Sequence, residues 1–285
     1  MRFSTAAVFL SAVLIVCSSQ QPDAGSAPGT ASGQQDTAIP ASAATAQDRL
    51  AASPRHGEWV MVKTGANDSV RAWIVYPERS TPAPVVVVIH EIFGVSNWMR
   101  AVTDQLAADG FIAIAPDLLT RFNIPNTAAG EPNGDSARVR IREIQPAEYQ
   151  PQIRAVAEYA MNLPAAAKKY GVVGFCWGGV AVFAHAVFYP DVNAVASYYG
   201  GTPAAEDYAP VKAPVLGLYG ENDERVNSTI ARAEAAAKAN GFTYEPHKFT
   251  GAGHGFLRTQ NDANGQASKD AWPLTVSWFR KYLGS

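Results

Sequence analysis

The chain has 285 residues, a length that fits one large domain or two small ones, and its 47% hydrophobic and 17% charged residues supply enough apolar material for an extensive core. A formal net charge of −2, with no Lys/Arg cluster along the chain, argues against nucleic acid as a partner. Only two cysteines occur, Cys17 and Cys176, too few for a disulfide framework.

Arg2, the apolar run over residues 6–16 and the small polar Ser18 and Ser19 have the layout of an export signal, and the run is too short to span a bilayer as a stable helix. Residues 1–19 are therefore expected to be a signal peptide, which makes the protein periplasmic, secreted or a membrane-anchored lipoprotein. Cys17 stands where a bacterial lipoprotein carries its lipidated cysteine, but Val16 replaces the small residue usual just before it. A lipid anchor through Cys17 and simple cleavage near Ser18 or Ser19 both stay open. Residues 20–52 are rich in Ala, Ser, Gln, Pro, Gly and Thr and almost devoid of large apolar side chains, so a disordered tether is expected there. The folded domain is expected over 53–285.

Within that domain strand and helix patterns alternate. Residues 59–63 and 70–76 read as a hairpin. The β-branched run at 85–89 has the mark of a strand buried on both faces. A helix over 98–109 stops at Gly110, a strand at 111–115 ends on Pro116, and 148–161 is helical. Strands follow at 172–175, 192–199, 214–219 and 244–249, with helices at 178–189, 228–240 and 267–283. This order predicts an α/β fold whose mostly parallel central sheet carries helices on both faces. Active sites of such sheets lie beyond the carboxyl ends of the strands. The loops after Ile89, Phe175, Tyr219 and Phe249 are the places to look.

Gly174-Phe175-Cys176-Trp177-Gly178-Gly179 follows a buried strand and opens a helix, the arrangement of a nucleophile elbow with Cys in place of Ser. The strand-to-helix turn is so tight that its flanks tolerate almost no side chain, and the helix N-terminus favours a thiolate. An incidental small buried cysteine in a Gly-rich turn is the plainer alternative. Asp223, in Gly220-Glu221-Asn222-Asp223, ends the next relevant strand and can fix the tautomer of a histidine. Glu221 and Glu224 are its rivals. His254 lies in the Gly251-Ala252-Gly253-His254-Gly255-Phe256 loop, whereas His185 falls within a helix, His247 within a strand and His56 at the domain edge. The order nucleophile, acid, histidine is that of the α/β-hydrolase fold, and it makes Cys176, Asp223 and His254 a candidate triad. In this fold the loop after the 85–89 strand and the residue after the nucleophile supply the oxyanion hole, which assigns the backbone N–H groups of Ile92 and Trp177. His90-Glu91 lacks the H-E-x-x-H of a zinc site, so neither a metal nor a cofactor is expected.

Glu91-Ile92-Phe93-Gly94, the cysteine elbow with its double glycine, Gly220-Glu221-Asn222-Asp223 and Gly253-His254-Gly255-Phe256 together resemble the dienelactone hydrolase (carboxymethylenebutenolidase) family from about Trp59 to Leu283. The resemblance implies hydrolysis of a lactone or activated ester. It also implies that Glu91 contacts the nucleophilic thiol and helps to activate it when substrate binds. A substrate carboxylate would be held by arginines, one of them Arg258, four residues after the histidine. The second would come from among Arg138, Arg140 and Arg142, with Arg138 the choice. The export signal departs from the family's cytoplasmic catabolic members and leaves the substrate open. The expected partner is a small ester or lactone, and a monomer is expected. The competing readings are an esterase or thioesterase of the same fold, a catalytically silent surface-tethered binding protein, and a thiol-redox role that the lack of C-x-x-C weakens.

Overall fold

The computed structural model describes residues 37–204 and 208–284. The signal-peptide and lipidation expectations, on residues 1–19, lie outside the described residues, as do residues 20–36 of the expected tether.

In chain order the elements are α1 (Ala46–Ala51), β1 (Gly57–Lys63), β2 (Ser69–Val75), β3 (Ala83–Ile89), α2 (Asn97–Ala108), β4 (Ile112–Pro116), a 3-10 turn (Thr120–Phe122), α3 (Gly134–Arg140), α4 (Pro146–Met161), β5 (Ala166–Phe175), α5 (Trp177–Phe188), β6 (Ala194–Tyr198), β7 (Val215–Gly220), α6 (Glu224–Asn227), α7 (Ile230–Asn240), β8 (Tyr244–Phe249), α8 (Phe256–Thr259) and α9 (Asp262–Leu283). The strands form one eight-stranded sheet in the order β1-β2-β4-β3-β5-β6-β7-β8. β1 pairs antiparallel with β2 and β2 with β4; every other pairing is parallel. The expected hairpin and parallel sheet are both present, and the architecture is the α/β-hydrolase fold.

The β-branched run earns its central place by having no polar face. All seven residues of β3 are buried, and their alternation splits them between two cores. Val85, Val87 and Ile89 join α4, α5 and α7 on one side, while Val86 and Val88 join α2 and α9 on the other. Strands β3 and β5 are thereby clamped by apolar packing on both faces, and their carboxyl ends are held in fixed register (Ile89 opposite Gly174).

Two departures from the sequence reading concern this frame. Residues 37–52 are not a tether. Ile39, Ala41 and Ala46 are buried in the α2–α9 core, and α1 lies against α2. The segment is anchored at single points instead of by a long apolar stripe, which is why its composition concealed it. Arg49 donates to Gln105, and Arg55 forms a bidentate pair with the buried Asp104, whose Oδ1 also accepts from Ser53. The second departure is α3, a short helix whose Asn133 side chain accepts from the Ser136 N–H and caps it.

Candidate active site

Cys176 occupies the turn between β5 and α5 with φ 56° and ψ −114°, a backbone conformation outside the favoured regions for a side-chain-bearing residue. The flanking glycines permit it. A Cβ on Gly174 would stand 2.1 Å from the Gly178 carbonyl oxygen, and one on Gly178 would stand 2.3 Å from the Ile89 carbonyl oxygen. The elbow is thus pressed against the end of β3, next to the loop that carries Glu91 and Ile92.

Four loops at the carboxyl ends of strands deliver the candidate groups. Asp223 begins α6 just past β7, and its Oδ2 accepts from His254 Nδ1 at 2.5 Å. That bond places the proton on Nδ1 and leaves Nε2 free to accept one. The rivals are otherwise disposed: Glu221 accepts from the Gly251 N–H, which stitches the β7 loop to the His254 loop, and Glu224 is exposed. Cys176 is only partly exposed, and burial pushes its thiol above the ordinary value. The Trp177 N–H and Arg225 oppose that shift, while Glu91 and Asp223 reinforce it. The helix terminus acts in the expected direction, but removing the sulfur from water outweighs it, and the resting thiol is protonated at neutral pH.

Glu91 follows β3 and is almost completely buried, which lifts its carboxyl from 4.5 to about 7 against the opposing pull of Arg258. Its Oε1 lies 2.8 Å from Arg258 Nε, yet neither atom has an aligned hydrogen bond, so the contact is a close ion pair with imperfect geometry. The Arg258 guanidinium also stands over the Phe93 ring at 5.1 Å.

His90 is fully buried and fully satisfied. Its Nδ1 donates to the Glu91 carbonyl at 2.7 Å and its Nε2 accepts from the Leu118 N–H at 3.2 Å. Burial lowers its pKa, so the ring is neutral, as a donor on one side and an acceptor on the other require. The Glu91 carbonyl and the Ile92 N–H belong to one trans peptide and point in opposite directions. By holding the carbonyl, His90 aims the Ile92 N–H. Its ring also stacks on Trp177, with centroids 6.0 Å apart and planes 16° apart. The Glu91–Ile92 peptide and the Trp177 ring therefore meet on one imidazole.

Among the described residues Arg138 makes no hydrogen bond or ion pair with this cluster. It pairs with Asp135 on α3 at 3.7 Å and is half exposed, and Arg140 likewise pairs with Glu143. Two residues not foreseen from sequence do join it. Tyr199, at the end of β6, has φ 40°, packs its ring 5.1 Å from His254 and buries a hydroxyl that has no hydrogen-bond partner. Arg225, two residues after Asp223, lines a cavity of about 220 Å³ together with Cys176, Trp177, Val180, Tyr199 and Gly201. The Tyr198-Tyr199-Gly200 ending of a buried strand was the available clue to the first; for Arg225 there was none. A larger depression of about 360 Å³ lies between Arg71, Asp117 and Asn123 and contains none of these groups. Among the described residues, no three His, Cys, Asp or Glu side chains gather as metal ligands.

Comparison with known proteins places these observations in a family. The profile of the dienelactone hydrolase family matches residues 70–283. A Salmonella typhimurium protein provisionally described as a carboxymethylenebutenolidase is 32% identical over 230 residues, covering 76% of this chain and 84% of its own. A carboxymethylenebutenolidase homolog of Mus musculus is 30% identical over 211 residues, covering 70% and 82%. Among solved structures, a Klebsiella pneumoniae protein provisionally described as a dienelactone hydrolase superposes with a TM-score of 0.70 at 25% identity, over 80% of this chain and 99% of that one.

Proposed function

The chain belongs to the dienelactone hydrolase family and is, as a member, a carboxylic ester hydrolase; we propose that Cys176 is its nucleophile and that an enol lactone or comparably activated ester is its substrate. The observation that carries this reading is the Asp223–His254 hydrogen bond beside a cysteine on a strained strand-to-helix turn.

In the proposed reaction His254 Nε2 takes the thiol proton, and Cys176 Sγ attacks the carbonyl carbon. The oxyanion is held by the N–H groups of Ile92 and Trp177. Collapse expels the alkoxide or enolate, which takes the proton back from His254, and leaves a thioester on Cys176. His254 then draws a proton from water, hydroxide adds to the thioester, and the acid leaves as the thiol is restored. Asp223 supports the imidazolium in both halves. A thiolate departs easily, so a tetrahedral adduct with an ordinary alkyl ester reverts; an enolate leaving group lets the forward path compete.

Because the resting thiol is protonated, activation is tied to binding. Glu91 is held by Arg258. A substrate carboxylate that competes for Arg258 loosens that pair and leaves Glu91 free to act on the thiol, in keeping with the role the family resemblance assigns it. Arg138 retains a role in substrate binding only if α3 presents it to a bound ligand. We further propose, from the character of residues 1–19, that the protein is exported.

The test is hydrolysis of a dienelactone by the protein and its Cys176→Ala variant, measured side by side. Turnover abolished by the substitution supports both nucleophile and substrate class. Turnover that survives it removes Cys176 from the mechanism.

A further inference from the structure

Three carboxylates near the pocket have resident partners: Asp223 holds His254, Glu91 holds Arg258 and Glu221 holds the Gly251 N–H. Arg225 has none. It is exposed and lines the cavity that Cys176 also lines, and no hydrogen bond or ion pair of its guanidinium is found among the described residues. Arg138 and Arg140, in contrast, each have a carboxylate partner, Asp135 and Glu143.

The backbone beneath Arg225 is firmly held. The Val226 and Asn227 N–H groups both donate to the Asp223 carbonyl, the Asn227 side chain donates to the Gly220 and Glu221 carbonyls, and the Val226 side chain is buried. The rest of the cavity wall is largely apolar, from Trp177, Val180 and Tyr199. An unpaired guanidinium at the rim of a small apolar pocket is the standard composition of an anion subsite, because its planar fork matches a carboxylate and the apolar wall strengthens the attraction. Arg225 and Cys176 line the same cavity of about 220 Å³, so one short substrate can meet both.

We propose that Arg225 is a specificity-determining residue that binds the carboxylate of an anionic ester whose carbonyl is presented to Cys176. The ester part of this statement rests on the hydrolase reading above; the anion subsite does not. Arg225 would act in addition to Arg258, on an arm of the site defined by the acid loop.

The test uses the full chain and a pair of thiol reagents of similar size, anionic iodoacetate and neutral iodoacetamide, with modification of Cys176 followed by peptide mass spectrometry. Any effect of Arg225 on thiol ionisation alters both rates together and cancels in their ratio. The iodoacetate-to-iodoacetamide ratio is expected to fall about fivefold or more in Arg225→Gln and to fall less in Arg225→Lys, which keeps the charge but not the planar fork. An unchanged ratio in Arg225→Gln overturns the proposal. The same variants are then compared on a p-nitrophenyl hemiester of glutarate and on neutral p-nitrophenyl butyrate, where the preference for the hemiester should fall through KM. If the alkylation ratio falls but Cys176→Ala still hydrolyses both esters, the subsite stands and the reading of Cys176 as the nucleophile fails. If Cys176→Ala is inactive and the ratio does not move, the reverse holds.

Discussion

Arg258 Nε stands 2.8 Å from Glu91 Oε1, and the charge of Arg258 fails to keep that carboxyl in the ordinary carboxylate range. Burial is the larger influence and lifts Glu91 from 4.5 to about 7. A carboxyl with a folded-state pKa above its unfolded value holds its proton more tightly when folded. Its contribution to stability is full below the unfolded value and is lost as pH rises through the folded one. Wild type should therefore lose melting temperature relative to Glu91→Gln between about pH 5 and about pH 8. Thermal unfolding of the two proteins across that range checks it, and a gap that does not vary with pH would show that Glu91 titrates normally.

Asp223 has a different job, holding one tautomer of His254. Asn at that position keeps the size but can present an amide N–H to Nδ1, which moves the imidazole proton to Nε2 and disables it as an acceptor. Asp223→Asn should lower kcat by about 10²- to 10⁴-fold with an unchanged fold. Steady-state kinetics with a matched circular-dichroism spectrum is the check. A loss confined to KM would point to binding instead.

The His90 arrangement predicts a separation of two chemistries at one sulfur. His90→Phe retains a ring against Trp177 and removes the hydrogen bonds to the Glu91 carbonyl and Leu118 N–H. Ester turnover should fall about 10- to 100-fold as the Ile92 N–H loses its aim. Alkylation of Cys176 by iodoacetamide forms no oxyanion and should change far less. Equal losses in both reactions would mean general damage to the site.

The segment ahead of β1 makes the fourth case. The Ala43 N–H donates to the Arg258 carbonyl, and the Gln260 side chain donates to both the Pro40 and Leu257 carbonyls from a left-handed backbone with φ 54°. A chain begun at Ser53 should melt several degrees below one begun at Thr37, since it strips Ile39, Ala41 and Ala46 from the core, and its KM should rise. Differential scanning calorimetry and kinetics on the two truncations decide this, with equal values for both as the contrary result.

Much of this arrangement could be read from the sequence because it rests on short-range rules. The continuous β-branched run at 85–89 gave β3, and the steric demands of a tight turn tied Gly174 and Gly178 to Cys176. The glycines around His254 marked a histidine outside regular structure. What escaped depends on contacts between distant residues. Residues 37–52 have the composition of a tether, and only the seats offered to Ile39 and Ala46 by α2 and α9 make them part of the core. The strand-end position of Tyr199 was visible, but its contact with His254 required the crossing of β6 and the β8 loop. Arg225 looks like any solvated loop arginine until the cavity wall is assembled. His90 drew notice as a possible metal ligand, whereas its role turns on a hydrogen bond to the very next residue's carbonyl.

The Pro40–Gln260 and Ala43–Arg258 hydrogen bonds also give the protein a mechanical property. Tension applied to the backbone ahead of Ile39 loads these two bonds, close to the loop that carries His254 and Arg258, before it reaches the sheet. Hydrogen bonds loaded one after another yield at lower force than a strand sheared from its neighbours. A protein held by its N-terminus would therefore feel traction at the His254 loop while its central fold is still intact.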